Sequence, residues 1–163
     1  MANDYSFDIV SKLNMDEVKN AINQATKEVQ ARFDFKGKNP IIELREKSIF
    51  LKVDNSMQMQ SMVGIVELKL SRREVSLKFF KYGEEEKAAK GAVKRELTFK
   101  EGIDKEEAKR LVELIKKNKL KVKTQIQEQQ LKVSGRDKDE LQKVIQLAKD
   151  NEEAFPFQFV NYR

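Results

Sequence analysis

The chain has 163 residues, of which 37% are charged, and a formal net charge of +6. It contains no cysteine and no histidine, which excludes disulfides, thiol nucleophiles, Ser-His-Asp triads and the usual zinc sites. Its six glycines are isolated, so no glycine-rich phosphate loop is present. No apolar run approaches the ~20 residues of a membrane span. We therefore expect a cytoplasmic protein that is not an enzyme, uses no metal or cofactor, and does not enter a membrane.

The first half of the chain reads as strand, helix, strand, strand, helix, strand. Tyr5, Phe7 and Ile9 alternate with other residues, which predicts a strand over residues 5–11. Asn14 and Glu17 have the spacing of a capping box and predict the start of the first helix. The other predicted elements are strands at 41–46 and 49–54, a helix at 56–71 and a strand at 75–80.

The second half repeats this order after a predicted linker at residues 81–92, which holds two glycines and a charge run. Asp104 with Glu107, and Asp137 with Glu140, repeat the capping box ahead of two further helices. Strands are predicted at 93–100, 121–127, 130–134 and 155–162. The doubled order predicts an α+β fold of two βαββαβ units, each a four-stranded antiparallel sheet with helices on one face.

The uncovered face of the second predicted sheet carries the candidate binding residues. Side chains alternate across a strand, so assigning Val122, Thr124 and Ile126 to the helix side exposes their neighbours. Lysine supplies positive charge for phosphate, and a glutamine amide both donates and accepts hydrogen bonds. The candidate phosphate contacts are Lys100, Lys121, Lys123, Lys132 and Arg136, and the candidate base or ribose contacts are Gln125, Gln127 and Gln158. A solvated sheet face without a ligand is the alternative.

The aromatic residues offer a second candidate surface in the first half. Phe50 and Phe80 are predicted on the exposed side of their strands, with Lys52 and Lys78 beside them. They could stack bases, as aromatic residues of RNA-recognition domains do, or they could form an interface between the halves. The interface is favoured, and the second sheet displays no aromatic residue on its predicted open face. A sequence-reading RNA-recognition domain is therefore disfavoured.

Several longer stretches resemble the bacterial YajQ family. They are SFDIVSK at residues 6–12, NAINQATKEVQARFDF at 20–35, KLKVKTQIQ at 119–127, DELQKVI at 139–145 and FPFQFVNYR at 155–163. The resemblance implies a cytosolic protein of two tandem ferredoxin-like domains that binds nucleotides and has no defined catalytic activity. It also implies a swapped N-terminal strand, which joins the sheet of the second domain.

The resemblance sets the expected domain boundaries. Residues 1–14 would form the N-terminal strand of the C-terminal domain, residues 15–92 the first domain with its linker, and residues 93–163 the second domain. If the swap occurs, Phe7 and Ile9 pack beside Phe157 and Phe159, and residues 93–100 serve the first half.

The chain departs from the family pattern at two places. Glu128 stands where the turn usually carries a glycine, and Asp137 replaces a hydroxyl in the segment before the last helix. Asp137 would repel a phosphate there, whereas an aspartate is a favourable helix N-cap, so we expect it to cap.

These observations predict a nucleotide-binding protein whose ligand is ATP, GTP or a cyclic dinucleotide such as c-di-GMP. An RNA-binding or regulatory interaction module is the alternative, since the same lysines could follow a nucleic-acid backbone. Salt distinguishes the two, because a contact with many phosphates weakens steeply as salt rises. The sequence identifies no protein partner.

Overall fold

The computed structural model describes residues 4–35, 39–150 and 156–163. The chain divides into two compact units, one of residues Met1–Lys12 and Glu101–Arg163 and the other of residues Leu13–Lys100. We call the first the terminal unit and the second the central unit. Each unit contains one antiparallel sheet, so the predicted α+β fold is confirmed.

The described helices and strands follow the chain in this order. They are β1 (Tyr5–Val10), α1 (Met15–Ala31), β2 (Ile41–Leu44), β3 (Ser48–Val53), α2 (Ser56–Arg72), β4 (Phe80–Tyr82), β5 (Glu86–Lys87), β6 (Val93–Phe99), α3 (Lys105–Lys117), β7 (Lys123–Gln127), β8 (Gln130–Gly135), α4 (Lys138–Asp150) and β9 (Gln158–Val160).

The helices begin where local side chains satisfy their first backbone N–H groups. The side chain of Asn14 accepts a hydrogen bond from the backbone N–H of Glu17 at 3.3 Å. Asp104 accepts from the N–H of Glu107 at 2.8 Å, and Asp137 accepts from that of Asp139 at 2.9 Å. These three caps confirm that sequence spacing alone located the helix starts.

The terminal unit is built around β1, which lies inside the sheet order β7-β8-β1-β9. Phe7 pairs with Val133 and Ile9 with Leu131, all antiparallel. Phe7 and Ile9 are almost completely buried, at 1% and 0% exposure. Helices α3 and α4 supply the rest of this core through buried residues, which include Ala108, Leu111, Ile115, Leu141, Val144 and Ile145.

The central unit has the sheet order β2-β3-β6-β4, with β5 paired to β6. β6 (Val93–Phe99) pairs with β3 and β4 of this unit, as the family resemblance implied for residues 93–100. Its buried residues Leu97 and Phe99 join the core formed by α1 and α2. β6 therefore occupies in this sheet the inner position that β1 occupies in the other.

The predicted strand at 75–80 and the predicted linker at 81–92 differ from the structure. Residues Leu77–Phe79 form a 3-10 turn, started by the Ser76 hydroxyl accepting from the backbone N–H of Lys78 at 3.2 Å, and β4 begins only at Phe80. The linker contains β5, which is held by pairing with β6. Because strand pairing uses backbone hydrogen bonds, it does not depend on the local composition. The glycines and charged residues of this segment therefore did not indicate a strand. The predicted last strand narrows to β9, and Phe155 lies outside the described residues.

We predict that Phe7→Ala destabilises the terminal unit by about 3–5 kcal/mol, because truncating a buried phenylalanine leaves a cavity. Ser6→Ala is the matched control on the same strand, where the side chain faces away from the core. Urea denaturation followed by circular dichroism measures both. A Phe7→Ala protein that melts like Ser6→Ala would contradict the central packing of β1.

Candidate functional site

The terminal unit exposes the sheet face that points away from α3 and α4, which we call the open face. Phe7, Ile9, Leu131 and Val133 are buried toward the helices, so the alternate residues point outward. The strand residues on this side are Ser6, Asp8 and the buried Val10 on β1, Lys123, Gln125 and Gln127 on β7, Gln130, Lys132 and Ser134 on β8, and Gln158 and Val160 on β9.

The register places basic and amide side chains directly opposite one another. Lys123 faces Ser134, and Gln125 faces Lys132, so their β-carbons lie about 5 Å apart. These four residues line a shallow groove of about 510 Å³ together with Asp4 and Ser6. Within this groove the lysine ammonium groups could donate hydrogen bonds to a phosphate, and the Gln125 amide could donate to and accept from the edge of a polar ring.

A larger groove of about 870 Å³ adjoins it where β7 begins and β8 ends, and we call it the basic groove. Lys121, Lys123 and Arg136 line it, and the residues Asp4, Lys123 and Ser134 are shared with the shallow groove. The two grooves therefore adjoin and share part of their lining. Arg136 follows the end of β8, and its side chain is 87% exposed and able to reach a ligand.

The structure brings together most of the predicted contacts. Lys121, Lys123, Gln125, Lys132 and Arg136 all line one or both grooves. Gln127 lies closer to the hairpin turn, opposite Gln130, and its amide oxygen accepts a hydrogen bond from the Gln130 side chain at 2.7 Å.

Two predicted contacts lie elsewhere. Gln158 is on β9, which is separated from β7 by β8 and β1. Its side-chain oxygen accepts a hydrogen bond from the backbone N–H of Lys12 at 2.6 Å. Lys100 belongs to the central unit. Neither lines the grooves that hold the other five.

Acidic residues that were not among the predicted contacts also line the basic groove. Asp4 lies 3.9 Å from the Arg136 guanidinium. Glu140 accepts a hydrogen bond from the backbone N–H of Lys121 at 3.1 Å and contacts Lys143 at 3.2 Å. The spacing of Glu140 from Asp137 indicated helix capping, and no sequence signal showed that the Glu140 carboxylate would instead bind the backbone of the segment before β7.

Ile126 faces the helix side as predicted, since it pairs with the buried Leu131, but it remains 43% exposed because β7 is an edge strand. One exposure prediction was wrong. Phe80 was expected on the exposed side, but it pairs with Phe99 and is buried, with the ring centres 5.6 Å apart. The strand begins at Phe80 rather than ending there, which reverses the inferred orientation.

Phe50 does lie on the outer side of its sheet, but it is covered. The Arg45 guanidinium sits 4.2 Å from the centre of the Phe50 ring. Arg45 also contacts the carboxylates of Glu43 and Glu96, at 3.4 and 3.2 Å. Phe50 and Phe80 therefore do not share an exposed surface on which bases could stack.

Neither a metal site nor a membrane span is found in the described part of the chain. No group of three or more acidic side chains there could hold a metal ion. No helix among residues 4–35, 39–150 and 156–163 is long and apolar enough to cross a membrane.

The sequence of residues 5–163 matches the family model described as nucleotide-binding protein YajQ-like. The chain belongs to the YajQ-like family. Curated relatives from Carboxydothermus hydrogenoformans, Alkaliphilus oremlandii and Chloroherpeton thalassium are 51%, 43% and 41% identical, and each match covers both chains completely. Each of these relatives is named a nucleotide-binding protein. The resemblance inferred from the sequence is thus confirmed.

We predict that Glu140 supports this YajQ-like fold in a pH-dependent manner. The backbone N–H of Lys121 and then the Lys143 ammonium hold the pKa of the Glu140 carboxyl below its ordinary value. Its stabilising effect should be complete above the ordinary pKa of about 4.3 and vanish as the pH falls through the lowered folded-state pKa. Glu140→Gln keeps an acceptor for Lys121 and removes only the charge. Thermal melts should show a deficit at pH 7 that shrinks below about pH 4, and a deficit independent of pH would refute this role.

Proposed function

We propose that this chain is a non-enzymatic nucleotide-binding protein of the bacterial cytoplasm, with the basic groove and its shallow continuation as the binding site. The observation that carries the proposal is the convergence of Lys121, Lys123, Lys132 and Arg136 with Gln125 on two adjoining grooves. The names of the full-length relatives support the same ligand class.

The chemistry of the grooves fits the two parts of a nucleotide. Ammonium and guanidinium groups along the basic groove attract phosphate oxygens. The Gln125 amide, opposite Lys132 in the shallow groove, offers a donor and an acceptor to a base or ribose. Both volumes, about 870 and 510 Å³, fall within the range of small-molecule sites.

The non-enzymatic part of the proposal rests on the side chains available. The chain has no histidine or cysteine to serve as a base or nucleophile. Two of the carboxylates along the basic groove already have cationic or N–H partners, Asp4 with Arg136 and Glu140 with Lys121. These contacts are typical of carboxylates with a structural role in the groove rather than a catalytic one.

The ligand is proposed to be a purine nucleotide such as ATP or GTP, or a cyclic dinucleotide such as c-di-GMP. RNA binding is the second candidate, because adjoining grooves that share Lys123 and Ser134 could follow a phosphodiester backbone. A thermal-shift panel of ATP, GTP, c-di-GMP and a short RNA tests these ligands. A ligand at 100 times its dissociation constant should stabilise the protein by about 2.7 kcal/mol. Affinity that falls steeply between low and high salt favours RNA.

We predict that Lys121→Glu combined with Lys123→Glu abolishes measurable nucleotide binding while the fold is retained. Each lost charge-assisted contact should cost about 1.5–3 kcal/mol, and the new carboxylates would repel phosphate. Isothermal titration calorimetry measures binding, and circular dichroism checks the fold.

The matched control is Lys109→Glu with Lys116→Glu, which makes the same change in charge on α3, on the opposite side of the sheet. It should bind like the parent if the grooves form the site. Equal losses in both double variants would instead indicate a response to net charge alone. If the Lys121→Glu, Lys123→Glu variant still binds nucleotide like the parent, the basic groove is not the binding site.

A further inference from the structure

The terminal unit has a second groove, of about 360 Å³, on the helix side of its sheet. It lies where the start of β1 and the residues after β9 meet the first turns of α4, and we call it the aromatic groove. Buried Phe7, Leu141 and Ile145 contribute its apolar floor, and Tyr5 and Tyr162 stand at its rim. Its volume is at the lower end of the range for small-molecule sites.

Tyr5 is exposed to this groove by the register of β1. It has the same orientation as Phe7, toward the helices, but it lies opposite Gly135, which has no side chain to cover it. The ring remains 37% exposed. The ammonium of Lys138, the first residue of α4, lies 4.8 Å from the centre of the Tyr5 ring. A cation therefore stands over one face of a partly exposed aromatic ring.

Tyr162 is part of a β-bulge between β1 and the residues after β9. Asp8 pairs with Val160, and Ser6 and Arg163 exchange two backbone hydrogen bonds of 3.1 and 2.9 Å. One residue of β1 thus lies opposite two residues of the other segment. The first of these two, Asn161, has a φ of 57°. Asparagine tolerates this left-handed conformation better than most residues.

The bulge directs Tyr162 into the aromatic groove. Val160 belongs to the open face, so regular alternation would also place residue 162 there. Instead the Tyr162 ring lies against Phe7 on the helix side, with the ring centres 6.0 Å apart and the planes at 30°. The Asn161 amide donates to the Asp8 carboxylate at 2.7 Å, which anchors the bulge. Bulges that reorient a side chain are frequent at binding sites.

We propose that the base of the nucleotide binds in the aromatic groove rather than beside Gln125, with Tyr5 and Tyr162 as stacking partners and Lys138 as a phosphate contact. The inference rests on the proposed function, which supplies the ligand class. Two accessible aromatic rings above an apolar floor suit a planar heteroaromatic ring. The Gln142 amide at the rim offers a donor and an acceptor to the edge of the base.

The tyrosine content of the chain allows a direct test. Of its three tyrosines, Tyr5 and Tyr162 line this groove, while Tyr82 belongs to the central unit and donates a hydrogen bond to Glu67. Protein labelled with 3-fluorotyrosine should give three assignable fluorine resonances, with single Tyr→Phe variants making the assignments. Addition of ATP or GTP should shift those of Tyr5 and Tyr162 and leave that of Tyr82 in place. Inorganic triphosphate, which has no base, should shift the two groove resonances far less.

Substitutions measure how much the stacking contributes. Tyr5→Leu and Tyr162→Leu keep apolar bulk but remove the aromatic face, and each should weaken ATP or GTP binding about 5- to 150-fold. Tyr82→Phe is the matched control and should bind like the parent. Asn161→Gly, which retains the left-handed backbone, should preserve the Tyr162 shift, whereas Asn161→Val should diminish it.

The outcomes separate this inference from the proposed function. One outcome overturns the aromatic groove and leaves the basic groove standing. In it, calorimetry shows nucleotide binding that depends on Lys121 and Lys123, but the Tyr5 and Tyr162 resonances do not shift. Resonance shifts that persist in the Lys121→Glu, Lys123→Glu variant support the aromatic groove and reject the basic groove. Equal shifts with ATP and inorganic triphosphate overturn base stacking, and absence of both heat and shifts with ATP and GTP overturns the inference. Should a leucine variant fail to fold, the shifts of the parent protein still decide.

Discussion

β1 lies between β8 and β9, although most of the chain separates it from both strands. Its inner position buries Phe7 and Ile9 against the helices, and this burial fixes the register of the strand. A shift of one residue would place both side chains on the open face, at a cost of several kcal/mol for each one exposed. The same register directs Ser6 to the open face and Tyr5 to the helix side. The shallow and aromatic grooves therefore both depend on the register of β1.

Local signals in the sequence were enough to predict the elements that local interactions stabilise. A helix start requires one side-chain acceptor a few residues ahead of an N–H group, and Asn14 and Asp104 supply it within their own segments. Sheet membership depends instead on distant partners. β5 is two residues long and exists through its pairing with β6, so the composition of 81–92 indicated only a linker. β6 itself could be assigned to the central unit only through the family resemblance.

Much of the candidate site could be predicted because strand alternation carries over directly to side-chain orientation. Lys123, Gln125 and Lys132 lie together as the alternation predicted. Lys100 and Gln158 were grouped with them by residue type and expected strand face, which do not report distance along or across a sheet. The aromatic groove was missed because the orientation of Tyr162 is reversed by one additional residue. An asparagine at position 161 was the available signal, since asparagine is enriched at positive φ, but many asparagines adopt ordinary conformations.

A comparison of the two outer sheet faces explains why the basic side chains of one are the better candidates for anion binding. In the central unit, Arg45 stacks on Phe50 and contacts two carboxylates, so an anion would compete with partners already in place.

In the terminal unit, the cross-strand neighbour of Lys123 is the Ser134 hydroxyl. Lys132 lies between the Gln125 amide on β7 and the Asp8 carboxylate on β1, and that carboxylate accepts a hydrogen bond from the Asn161 amide at 2.7 Å. The Ser134 hydroxyl and the Gln125 amide can themselves hydrogen-bond a bound phosphate or ribose, so they add to the attraction of the lysines. Exposed ion pairs contribute only about 0.2–1 kcal/mol each. Selectivity for an anion therefore depends less on the number of basic residues than on whether their neighbours are carboxylates or neutral hydrogen-bonding groups.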